Sequence, residues 1–164
     1  LRDKGVSEMS AALKRRFNFE TVPPIADPLR ERALVRAKAE RALVAAQQPP
    51  RVDDAVLDVV VTAFRDLRIG VTAEGWSVDK PTSVMSVAEA VGVTTACSLH
   101  ASFFGEGRDP LNLVPLHLLG VVEKDEPKDR AKLLAYWDSV VRRRGETTRV
   151  WKQLLELRTM LERA

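Results

Sequence analysis

Cysteine is almost absent from this 164-residue chain: Cys97 stands alone, so no disulfide can form within it, and a reducing, cytosolic setting is expected. Aromatic residues are few, five Phe, three Trp and one Tyr, and no run of Lys and Arg is interleaved with them. That composition does not build a stacking surface for nucleic acid, and nucleic acid is not an expected partner. The apolar stretch around residues 111–122 is interrupted by Asn112, Pro115 and His117 and is too short for a bilayer, so no membrane span is expected. Neither GxxxxGK[ST] nor GxGxxG occurs, which removes the common phosphate-cradling loops. Only two histidines are present, His100 and His117, far apart in sequence and without Cys, Asp or Glu at ligand spacing, so no metal site is expected. No signal peptide is visible.

What is present is enough apolar sequence, 45% of residues, spread along the chain, to bury a core and exclude disorder. The net charge of +3 is unevenly placed: residues 1–50 carry 10 Lys+Arg against 6 Asp+Glu, whereas the remainder is close to neutral. The basic character belongs to the N-terminal part.

The pattern along the chain is helical. A short helix is expected at Ser7–Lys14, followed by a strand, Phe17-Asn18-Phe19-Glu20-Thr21-Val22, stopped by Pro23-Pro24. A lone strand is unstable, so its sheet partners are expected upstream, and the chain, opening at Leu1, reads as a fragment. Asp27-Pro28 opens a helix to about Ala46, and Asp53 or Asp54 caps the next, with the stripe Val56, Val60, Ala63, Leu67. A small hairpin is expected around Glu74-Gly75. Ser86 and Glu89 form a capping box for a small, apolar, central helix to about Phe104. Asp109-Pro110 repeats the cap-plus-proline start, with Pro115 kinking or shortening that helix. Two amphipathic helices close the chain, with stripes Leu134, Trp137, Val141 and Val150, Leu154, Leu157, Leu161, separated at Gly145. The body is mainly α.

Most polar candidates have ordinary explanations. Cys97 lies among small residues with no base at helical spacing and reads as a buried structural thiol. Arg142-Arg143-Arg144 reads as a solvated helix end complementing the helix dipole. The basic helix Asp27–Ala46, with Arg30, Arg32, Arg36, Lys38 and Arg41, reads as a solvated face, or as a face toward an acidic partner through Arg32 and Arg36. The exception is Arg15-Arg16, placed where a short helix meets a strand. A guanidinium pair at that junction suits a subunit boundary and a phosphate, although on the residues alone an ordinary helix end is the slightly better reading.

The segment Ala12-Leu13-Lys14-Arg15-Arg16-Phe17-Asn18-Phe19 resembles the stretch after the sensor-1 strand in AAA+ ATPases of the MoxR-like and dynein-related bacterial branch. The resemblance covers about residues 1–27. It implies that residues 1–27 end an AAA+ core, with Arg16, or Arg15 in its place, as the arginine finger acting on a neighbouring subunit's ATP. It implies that residues 28–164 are the α-helical lid, with a C-terminal extension. The fold expected is thus a helical lid-type bundle preceded by a short helix and one strand of a truncated α/β core. ATP and Mg²⁺ would belong to the parent protein, in a homo-oligomeric ring, usually a hexamer, that remodels a protein substrate, often one with a von Willebrand A-type domain. At the sensor-2 position Lys80-Pro81-Thr82-Ser83-Val84 has no Arg, and Lys80 is its only substitute. Lacking Walker A and Walker B, this chain alone is expected to be inactive, and no cofactor is expected for it. The competing expectation is a non-catalytic helical interaction domain with a basic first helix.

Overall fold

The computed structural model describes residues 10–18, 23–104, 109–124 and 126–163. Among these no β-strand forms. The backbone goes into helices: α1 (Ala11–Lys14), α2 (Pro28–Ala45), α3 (Asp54–Ile69), α4 (Val87–Phe104), α5 (Val114–Glu123), α6 (Asp129–Tyr136), α7 (Arg142–Gly145), α8 (Arg149–Glu156) and α9 (Met160–Arg163). A 3₁₀ turn (Pro110–Leu113) leads into α5, and a π turn (Trp137–Val141) joins α6 to α7.

The starts are written in local chemistry. Asp27 accepts a hydrogen bond from the Leu29 amide at 2.9 Å, with Pro28 filling the first position, where a missing N–H costs nothing. Asp53, rather than Asp54, caps α3, accepting from the amides of Ala55 at 2.8 Å and Val56 at 3.1 Å. The capping box at α4 is complete: the Glu89 carboxylate accepts from the Ser86 amide at 2.6 Å, and the Glu89 amide donates to Ser86 Oγ at 3.2 Å. Gly70 ends α3 at φ +86°, a conformation a Cβ would strain. Pro115 does not kink a longer helix. It sits in the first turn of α5, and the residues before it wind as the 3₁₀ turn capped by Asp109.

Helix α4 is the centre, packed against α2, α3 and α5 and burying Ala90, Val93, Thr94 and Cys97. Among the described residues it is α4, rather than the stretch at 111–122, whose 18 residues could cross a membrane by length and composition alone. Its place in the fold is the middle of a helical bundle. From α3 the stripe Val56, Val60, Ala63 and Leu67 is buried as its spacing predicts. The expected hairpin contracts to one bridge between Val71 and Ser77, closed by the Thr72 amide donating to Trp76 O and by a turn with Gly75 at φ +86°. The first of the two closing stripes is buried at Trp137 and Val141 as expected. Leu133 and Val140 are buried beside them, and Leu134 is half-buried.

Of the strand expected at 17–22 only Phe17 and Asn18 are among the described residues. Phe17 and Asn18 are exposed and irregular, Phe17 at 56%, and residues 19–22 lie outside the described residues. So do residues 7–9 of the expected first helix; Ser10 is not helical, and α1 covers Ala11–Lys14.

Candidate functional site

Arg15 and Arg16 follow the single turn of α1, where the Arg15 amide donates to Ala11 O at 3.2 Å. Both are exposed, and neither side chain has a hydrogen bond or ion pair among the described residues. Lys80 is exposed on the loop between the turn at Gly75 and α4, with its methylenes lying over Gly70. That loop is pinned farther along by the buried Asp129 of α6, which accepts from the Thr82 amide and pairs with Lys132 at 2.7 Å. No hydrogen bond or ion pair joins Lys80 to Arg15 or Arg16 among the described residues.

Between the arginine pair and the helical body lies the linker Pro23–Asp27, and here the structure builds something the sequence reading missed. Glu31 of α2 is fully buried, and two arginines of α3 converge on it: Arg65 at 2.6 Å and Arg68 at 2.7 Å and 2.9 Å. Arg65 also donates to the carbonyls of Ile25 at 3.2 Å and Ala26 at 2.8 Å, fixing the linker itself. Arg68 donates to Met85 O at 2.9 Å, holding the turn that precedes α4, where Met85 stands at φ +52°. One carboxylate thus organises two cations that grip the entry and the middle of the bundle. Its signal was its register, since Glu31, Val35, Ala39 and Leu43 are spaced by four and all are buried. Replacing Glu31 by Gln leaves two partly buried guanidiniums facing a neutral amide. It is expected to cost about 2–3 kcal/mol in urea unfolding, and a loss under about 0.5 kcal/mol would show that the arginines re-pair with solvent.

A second polar cluster is built on the same C-terminal end of α3, from Asp66, which lies between Arg65 and Arg68 in the chain. Arg144, read from sequence as part of a solvated helix end, is buried, 7% exposed. Its Nη1 donates to Asp66 Oδ2 at 2.7 Å and to the Tyr136 hydroxyl at 3.2 Å, while Nε and Nη2 grip Glu74 at 2.9 Å and 2.7 Å. The Tyr136 hydroxyl in turn donates to Asp66 Oδ2 at 2.8 Å, and the guanidinium lies 4.8 Å from the Trp151 ring centre. The Arg144 hydrogen bonds pull Glu74 down to a pKa of about 2. Burial raises Asp66 above the usual carboxylate range, although Arg144 and Tyr136 oppose that shift. Arg142 and Arg143 are exposed, as expected, Arg143 lying 5.2 Å from the Trp76 ring centre.

The remaining candidates settle quickly. Cys97 is buried and its thiol is pushed up to about 12 by that burial, as befits a packing residue. His100 and His117 are not apart in space: their rings meet edge to face at 5.6 Å. Burial and the neighbouring His100 lower the pKa of His117. No cluster of three or more potential metal ligands occurs among the described residues. Arg32 and Arg36 do not form a free basic face. Arg32 pairs with Asp54 at 2.6 Å and with Asp58, and Arg36 with Asp54 and with Glu40 at 3.6 Å.

With this geometry in view, the comparisons with known proteins are specific. A family model described as the YehL-like AAA+ ATPase C-terminal domain matches residues 29–162. The protein called "Uncharacterized protein YehL" from Escherichia coli (strain K12) is 45% identical over 141 residues. That match covers 85% of this chain and 38% of the relative, so the chain spans well under half of that protein's length. No solved structure matches.

Proposed function

This chain belongs to the family of YehL-like AAA+ ATPase C-terminal domains, and from that premise we propose that it is the lid of an ATP hydrolase whose nucleotide-binding core precedes it. The observation that carries this reading is the match over residues 29–162, which begins at the second residue of α2 and includes almost all of the helical body. Residues 1–27 then end the core and residues 28–164 are the lid with its extension. The finer assignment is to the MoxR-like branch.

Within that reading Arg16 is the arginine finger, with Arg15 the substitute. Both guanidiniums are exposed and unpaired among the described residues, so either is free to reach an anion on a neighbouring subunit. A finger supplied in trans requires a homo-oligomeric ring, with six subunits the expected number. ATP with Mg²⁺ is the parent's substrate. Lys80 is the only cation of this chain proposed to approach it from the lid side, and its exposed ammonium fits that role. Arg65, holding Ile25 and Ala26, makes the linker and the bundle move as one body, so a change at the finger segment is passed to the lid. The work done is remodelling of a protein partner in the cytoplasm, a von Willebrand A-type domain being the kind expected.

The test is direct. A protein carrying this chain behind its nucleotide-binding core is expected to hydrolyse ATP in a Mg²⁺-dependent manner, while the 164-residue chain alone shows no turnover above buffer. Hydrolysis by the chain alone, or none by the longer protein, contradicts the reading.

A further inference from the structure

Two arginines of α2 that seemed available to a partner, Arg32 and Arg36, are occupied by acids of α3. The pairing leaves a different set of cations free. On the outward side of α2, Arg30, Lys38 and Arg41 are exposed and have no ion pair among the described residues. They alternate with Ala33, Leu34, Ala37, Val44 and Ala45, all exposed, Leu34 at 37% and Val44 at 56%. At 100° per residue these positions fall on one side of the helix, opposite the buried row Glu31, Val35, Ala39, Leu43. The helix has two other acids than its cap, and neither offsets this face: Glu31 is buried, and Glu40 is half-buried beside Arg36.

The face continues onto α4. A groove of about 360 Å³ runs between the two helices, lined by Leu34, Lys38, Val87, Ala88 and Val91. Val84, just before α4, is 58% exposed, and Ala88 and Gly92 are exposed and small, so a second backbone can approach closely. Glu89, the acid of this part of α4, is engaged in the capping box and paired with Lys124.

We infer that the outward face of α2, with its groove against α4, is a docking surface for an acidic amphipathic helix of a protein partner. Its apolar residues would lie along Leu34, Val87 and Val91, and its carboxylates would meet Lys38 and Arg41. Both the charge complementarity and the helix-sized apolar groove favour this occupant. Nucleic acid fits less well, because the face offers no aromatic ring for a base to stack on. This inference does not depend on the ATPase reading, and its test needs no nucleotide.

The probe is a fluorescein-labelled helical peptide of about 18 residues, five turns, with a Leu and Ala stripe flanked by Glu. Its control is the same peptide with Lys in place of Glu, and binding to the 164-residue chain is followed by anisotropy at low salt. The acidic peptide is expected to bind at least about tenfold tighter than the basic one. Lys38→Glu with Arg41→Glu should remove about tenfold or more of that affinity, and Leu34→Ser several-fold. All three substitutions are on exposed positions, so far-UV circular dichroism should be unchanged, which separates lost docking from lost folding. Arg32→Glu serves as the counter-test, being expected to weaken folding through Asp54 and Asp58 rather than docking. Equal binding of both peptides, or an unchanged affinity in the Lys38→Glu, Arg41→Glu double variant, overturns the inference. So does tighter binding of an oligothymidylate than of the acidic peptide, which would assign the face to nucleic acid.

Discussion

Replacing Arg144 by Met is expected to cost about 3–5 kcal/mol of folding free energy at neutral pH, the largest stability loss of any single substitution considered. The reason is what stays behind. Asp66, 4% exposed, keeps its charge with only the Tyr136 hydroxyl to stabilise it, and Glu74 loses both of its guanidinium bonds. Methionine fills much of the volume and retains contact with Trp151, so packing contributes little to the loss. The pH dependence distinguishes this account from a packing defect. A carboxyl whose folded pKa is raised, as burial does to Asp66, stabilises the fold when protonated and loses that contribution as pH rises above the ordinary Asp range. Without Arg144 nothing cationic opposes that rise. Glu74 has the opposite sign: depressed to about 2, it stabilises the wild-type fold above its ordinary pKa and ceases to do so as pH falls toward 2. Its share is modest, because its side chain is 40% exposed and screened by water. Both effects make the gap between wild type and variant narrow on acidification. Urea unfolding at neutral pH and near pH 3 measures it. A gap that stays constant with pH, or a cost below about 1 kcal/mol, would mean that the cluster is solvated rather than buried.

This cluster also shows where the sequence was readable and where it was not. Four starts were legible, three to the residue and the α3 cap to Asp53 or Asp54, because Asp27, Asp53, Ser86 with Glu89, and Asp109 act through bonds to amides two or three positions away. The centrality of α4 was legible from its small apolar composition. Side chains recruited across the fold were harder. Arg144 continues the stripe that runs through Trp137 and Val141, so periodicity placed it inside, yet two neighbouring arginines disguised it as a helix end. Its partners Asp66 and Glu74 are 78 and 70 positions away, a separation that no local pattern encodes. Glu31 is the same case on α2, with Arg65 and Arg68 supplied from 34 and 37 positions along. The two histidines, distant in the chain, were brought together by the packing of α4 on α5. The π turn at Trp137–Val141 has no signature in composition.

The site residues stand differently. Arg16 was singled out by its place in a motif, and the described geometry adds that it is exposed and unpaired. In the reading proposed above it meets charge that develops only during hydrolysis in a neighbouring subunit. Such a group contributes to the transition state far more than to nucleotide binding, and fingers of this kind are worth about 10³–10⁵ in turnover. Arg16→Lys keeps the charge but loses the planar fork, so it should recover only a small part of the activity. Arg15→Ala should leave most of it if Arg16 is the finger, and remove it if the two exchange roles. Because both side chains are exposed, neither substitution should move the unfolding midpoint.

The measurement that bears most directly on this account is ATP turnover by the longer protein carrying Arg16→Ala, taken together with its affinity for a fluorescent ATP analogue. The account predicts a fall of about a thousandfold or more in turnover, with nucleotide affinity within about threefold of wild type. Turnover unchanged in that variant would contradict it and take Arg16 out of the mechanism.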